Sequence, residues 1–268
     1  NEARPTLLSN VIGGNSGDGI AYFDQSGGSA RANMLDRNNN GIVVSGEAQP
    51  ILEDNHIRNS AVSGLLYTGQ SSGVGKGNTV ELSGVHGLVV RGKANPRLER
   101  NNLRANKEHG IVYAGTATGT AKNNTSEGNW GAGILVSVEA APTLERNLSK
   151  ENAGPGFCYQ DSASGAALNN VSEFNEGDGI CLEGHAHPTL EDNVIKDNEG
   201  RGVVYREHSA GAAHYNLISG NKGLGLLVEP PATPRLDGNR VQYNLEDKPT
   251  RTQDTASDFS RHSALDGE

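Results

Sequence analysis

Asparagine returns at a fixed interval along this chain, at positions 10, 33, 55, 78, 101, 124, 147, 170, 193, 216 and 239, in steps of 23 residues broken by a single step of 22. Five residues after each stands a second Asn or Ser, from Asn15 and Asn38 through Ser60 and Ser83 to Asn244. A Gly followed by an apolar residue comes next, as in Gly19-Ile20, Gly110-Ile111 and Gly225-Leu226. A period this long and this regular specifies an array whose units bury their apolar faces against one another. Helical arrays are excluded, because no window carries an i, i+3, i+4, i+7 apolar stripe and Gly and Asn interrupt every ten residues or so.

The apolar residues alternate instead, as in Ile111 and Tyr113, which is the period of a strand. Short strands stacked every 23 residues predict an all-β fold: a right-handed, single-stranded parallel β-helix solenoid of ten to eleven coils with three strands per coil. An Asn column at a turn fits, since each side-chain amide can bond the coil above. The array is expected over residues 1–244. The 245–268 segment, polar with Phe259 as its one large apolar residue, is expected to be a tail or a weak C-terminal cap. The start at Asn1, midway through a coil, is what a processed or excised chain would show.

Columns read down the array repeat every second coil. Five residues before the ladder Asn, Pro and Gly alternate (Pro50, Gly73, Pro96, Gly119, Pro142). Three before it, large and small alternate (Leu52, Gly75, Leu98, Ala121, Leu144), and two before it charge alternates (Arg31, Glu53, Lys76, Glu99, Lys122, Glu145). Opposite charges stacked about 4.8 Å apart attract, so this last column should face water. Tyr22, Tyr67, Tyr113, Tyr159 and Tyr205 alternate with Val or Leu in a further column. Tyr shares a coil with the small residue and Val with the large one, as a filled interior requires. The other reading of these tyrosines is a ladder of sugar-stacking rings.

A net charge of −9 disfavours nucleic acid and anionic membrane surfaces, and no apolar run reaches membrane-spanning length. No cofactor is implied, and no metal site is assigned. Cys158 and Cys181 fall in one column of adjacent coils, within disulfide reach or simply as apolar fill. Their column, with Val89, Val112 and Leu135, should point outward, yet it is apolar throughout. Such a ribbon predicts a covering partner or a second copy of the chain.

The polar irregularities concentrate late in the chain. Where four of the seven earlier coils carry Ser, Thr or Ala after the Tyr/Val position, coils eight to ten carry Glu183, Arg206 and Glu229, and His185 and His208 share a nearby column with His187 close by. Glu183, His185, Arg206 and His208 are therefore the candidates for acid–base chemistry, against a reading as a surface ion-pair row. His86 and His109 form a second stacked pair. Ser126, Ser149 and Ser172 replace aliphatic residues in an inward column, as a hydroxyl ladder or the lining of a polar pocket.

The alternation of Ala-x-Pro-x-Leu-Glu-x-Asn (Ala94 to Asn101; Ala186 to Asn193) with Gly-x-Ala-x-x-Asn (Gly119 to Asn124) resembles the right-handed parallel β-helix repeats of the carbohydrate-binding and sugar-hydrolase, or pectin-lyase-like, superfamily. It is most similar to the β-helical substrate-receptor region of F-box-only proteins and their bacterial relatives. The resemblance implies a secreted or cell-surface setting and a glycan or protein ligand. It supplies no catalytic residue. The Asp-Pro-His-Glu run of mannuronan epimerases is reduced here to His187-Pro188. The Gly-His-Gly of polygalacturonases has only Val85-His86-Gly87 and Glu108-His109-Gly110 in its place. The expected function is a non-catalytic binding or scaffold module that recognises a glycan or protein along a sheet face. The alternative is a polysaccharide lyase, hydrolase or epimerase.

Overall fold

A computed structural model describes residues 2–245 together with the backbone of Thr250–Arg251. Every coil contributes three strands, almost all three residues long, to three parallel sheets of eleven strands each. Sheet A runs from Thr6–Leu8 to Arg235–Asp237 and sheet B from Val11–Gly13 to Arg240–Gln242. Sheet C runs from Ile20–Tyr22 to Leu226–Val228 and is continued by Thr250–Arg251, which pairs with Leu227 and Val228. One strand of the expected tail thus keeps the 23-residue register; apart from Leu245, the rest of that segment lies outside the described residues.

The bends between strands explain the sequence columns. The residue before each first-ladder Asn holds a left-handed conformation in all eleven coils, from Ser9 to Gly238, with φ between +50° and +65°. Most of these residues are not Gly, so the strained turn must be offset elsewhere. The Asn that follows offsets it. Asn101 donates from its backbone N–H and its Nδ2 to Oδ1 of Asn124, both at 2.9 Å, and its Nδ2 also reaches the Gly75 carbonyl. The pattern recurs along the chain and satisfies polar groups that are buried on every side.

The Pro/Gly alternation has a steric cause. Gly28, Gly73, Gly119, Gly165 and Gly211 hold φ between +89° and +100°. A Cβ on any of them would collide with the carbonyl oxygen of the Pro in the preceding coil. One coil takes the rigid ring, and the next takes the residue without a side chain.

Inside, Tyr67, Tyr113, Tyr159 and Tyr205 are the largest fully buried side chains, and Tyr22 is buried with them. They pack as volume partners of the small residues: the Tyr67 hydroxyl lies 3.1 Å from where a Cβ on Gly75 would stand. The tyrosine rings are core, and no ring face is open to a sugar. This corrects the stacking alternative, because a period-2 strand sends the Tyr position to the same side as the buried Ile before it. Burial pushes their phenolic pKa values above the ordinary range.

Outside, the charge ladder of sheet A forms in part, with Glu99 turned to Arg97 of its own strand rather than to either flanking lysine. Lys76 Nζ meets Glu53 at 2.8 Å, Lys122 meets Glu145 at 2.9 Å, and Arg31 meets Glu53 at 3.5 Å.

Candidate functional site

Sheet C differs from the other two sheets. In sheets A and B only the middle, inward residue of a strand is buried, whereas most sheet C strands bury all three. Much of the outward apolar column is therefore already covered within the chain, with Val89 at 7%, Val112 at 6%, Cys158 at 5% and Cys181 at 2% exposure, while Leu66, Leu135 and Leu227 are half-buried and Ala21 is exposed. This corrects the expectation of an open apolar ribbon. With three-residue strands, the side chains of both flanking bends stand close enough to lean over the middle position. Arg206 reaches the Cys181 sulfur, and Ala132 packs with Cys158, Cys181 and Val204.

One end of this face carries a charged network. Arg206 bonds Glu183 at 2.7 Å and Asp178 at 3.2 Å. Arg201 bonds Asp178 through Nε at 3.0 Å and Nη2 at 3.2 Å, and Glu229 at 3.3 Å. The structure therefore unites Glu183, Arg206 and Glu229, as their column suggested, and adds Asp178 and Arg201. Sequence reasoning missed Asp178. The signal it lacked was that the residues just before the corner Gly form a column of their own. There Asp178 Oδ1 accepts the Arg201 backbone N–H at 2.8 Å, as Asn40 Oδ1 accepts that of Ser63 at 3.1 Å. His185 and His208 stack with ring centroids 5.0 Å apart on the adjoining exposed bend.

His86 and His109 belong to that same corner column, stacked at 5.3 Å. His109 Nδ1 accepts the Ala132 backbone N–H at 2.8 Å, so this nitrogen carries no proton. Burial depresses the pKa of both rings. For His109 the neighbouring His86 adds to the effect, and for His86 Glu108 opposes it. Ser126, Ser149 and Ser172 do not form a hydroxyl ladder. Each donates at 2.8 Å to a corner Gly carbonyl of its own coil, Gly133, Gly156 and Gly179, and accepts from the second-ladder Asn three residues on.

An open concavity lies at the bend between sheets B and C. A trough of about 510 Å³ runs along successive coils past Asn59, Ser60, Ala61, Gly84 and Lys107 and ends against Trp130, which is 70% exposed. It sits where the second Asn ladder is interrupted by Ser60 and Ser83, whose buried hydroxyls have no hydrogen-bond partner among the described residues. Small residues in the next column, Ala61 and Gly84, deepen it. Sequence reasoning passed over Trp130, although it is the chain's only Trp and interrupts a column of small and charged residues.

The chain matches the family described as right handed beta helix region over residues 1–75 and 40–173. It belongs to that family. Residues 152–253 also match the family described as periplasmic copper-binding protein (NosD). No curated protein matches the sequence. Among solved structures, the fold is similar to the A-module of mannuronan C-5 epimerase AlgE6 of Azotobacter vinelandii, with 16% identity over 91% of this chain and 80% of that one and a TM-score of 0.73. The AlgE4 A-module of the same organism is similar at 14% identity, over 91% and 82% of the two chains, with a TM-score of 0.61. The periplasmic alginate epimerase AlgG is similar at 15% identity, over 84% and 61%, with a TM-score of 0.55. At these identities the likeness is one of fold.

Proposed function

We propose that this β-helix is a non-catalytic glycan-recognition module of a secreted or periplasmic protein, with its binding surface in the trough that ends at Trp130. The observation that carries this reading is the exposed indole beside a concavity of about 510 Å³ that Asn59 and Lys107 border. That volume falls in the range of small-molecule sites, and a flat aromatic wall with a few placed polar groups is how a site holds a ring that is apolar on its faces and polar at its rim. Solved structures of similar fold include enzymes named for alginate and mannuronan, which supports a glycan as the ligand class. A binding role is favoured over catalysis because the carboxylates of the charged network are engaged: Asp178 by two arginines, Glu183 by Arg206 and Glu229 by Arg201.

Trp130 supplies its own probe, since all tryptophan fluorescence of the chain comes from this side chain. Titration with a panel of neutral and uronate oligosaccharides should shift that emission for at least one member, without new reducing ends or unsaturated products. Trp130→Phe should weaken binding, and Trp130→Ala should abolish it by calorimetry with the melting temperature unchanged. Product formation that disappears in Glu183→Gln or His208→Ala would replace this reading with the enzymatic one.

A further inference from the structure

Two departures from the repeat meet at one point of sheet C. Cys158 and Cys181 are in-register partners on adjacent strands, both free and both buried. Glu183 opens the bend that follows Cys181, and its Oε1 lies 3.2 Å from the Cys181 sulfur. The two sulfurs and a Glu183 oxygen lie within 4.8 Å of one another. An ion held about 2.3 Å from sulfur and about 2.1 Å from a carboxylate oxygen spans donors up to about 4.6 Å apart, so one ion reaches all three with small side-chain adjustments.

We propose that Cys158 and Cys181, completed by Glu183, bind one soft, thiophilic d10 cation, the class to which Cu(I) and Zn(II) belong. Two sulfur donors of three select such an ion over hard cations. The surroundings select in the same direction, because Ala132, Leu135, Val204 and Leu227 pack about the thiols and offer nothing to replace a hydration shell. Two thiolates and a carboxylate bring three negative charges, more than either cation neutralises. Arg206, whose Nη1 is 3.2 Å from the Cys181 sulfur and whose Nη2 is held by Asp178 at 3.2 Å, meets the one charge that Zn(II) leaves and one of the two that Cu(I) leaves. That second anchor keeps the guanidinium in place when Glu183 turns to the ion. Each thiol loses its proton to solvent as its metal–sulfur bond forms, with no change of oxidation state, so affinity rises with pH. The site stands on geometry separate from the Trp130 trough and is independent of the glycan reading.

The test is anaerobic titration of the reduced full chain with Cu(I) against a chromophoric Cu(I) chelator, and in parallel with Zn(II) against a zinc indicator. One equivalent of at least one ion should bind, with two protons released and two sulfur neighbours in the X-ray absorption spectrum of the complex. Cys181→Ser should weaken binding about 100-fold or more, and Glu183→Gln about 10-fold, in line with losses seen on disturbing a metal's surroundings. If Cys181→Ser fails to fold, protection of the wild-type thiols from alkylation by the bound ion serves in its place. Failure of both ions to bind, binding undiminished in a folded Cys181→Ser, or a complex without sulfur neighbours overturns the proposal.

Discussion

Asn124 Nδ2 donates to Asn147 Oδ1 at 3.0 Å in one direction and to the Leu98 carbonyl at 3.1 Å in the other, so one side chain ties three coils together. Asn124→Ala removes those bonds and takes the Oδ1 acceptor away from the buried backbone N–H and Nδ2 of Asn101. Unfolding in denaturant should show a loss of about 1–3 kcal/mol. Lys122→Ala, two residues away and bonded to Glu145 on the surface, should cost less than about 1 kcal/mol.

The stacked histidines predict a pH dependence of definite sign. His109 and His86 titrate below the ordinary histidine value in the folded chain, so the unfolded chain binds protons first as pH falls. Their contribution to stability is complete above the unfolded pKa of about 6.5 and is lost as pH drops through the depressed folded values. Denaturant midpoints should fall between pH 7.5 and 5.5. His109→Asn should reduce that slope while keeping the acceptor for the Ala132 N–H, because Asn40 fills the equivalent position in another coil.

Val112→Lys distinguishes a covered face from a docking face. At 6% exposure the new ammonium would be desolvated, so the stability should drop by several kcal/mol. Leu135→Lys, at a half-buried position, can extend its amine to water and should be far milder. If both variants melted like the wild type, sheet C would be more open than its burial indicates.

Asp178 holds Arg201 and Arg206 from a side chain only 10% exposed. Asp178→Ala should cost about 2–4 kcal/mol, somewhat under the figure for a fully buried pair because the arginines keep partial solvent contact. Asp178→Asn should recover part of it, since the amide oxygen still accepts the Arg201 N–H. A loss in Asp178→Ala no larger than that of a surface pair would mean the network is incidental.

The ladder, the three sheets, the filled interior and the alternating charges were all legible in the sequence, because each follows from one residue type recurring at one offset. What was not legible came from contacts between columns. The period of the strand reads residue 112 as outward, yet its side chain is buried. Trp130 was missed for a related reason. It fills its column singly, and the trough beside it is made by residues absent from columns further back along the chain. Asp178 looked like any bend residue until Arg201 and Arg206 of the next coil were set against it.

The Pro/Gly and Lys/Glu alternations make the true building block two coils rather than one, and this restricts how such a chain can change length. Excising the single coil that carries Lys122 would bring Glu99 against Glu145 and set a proline coil directly upon another. Excising the two adjacent coils that carry Glu99 and Lys122 sets Lys76 against Glu145 and restores both alternations. Insertions and losses within this solenoid should therefore be tolerated in even numbers of coils, a parity rule written into the interior and the surface alike.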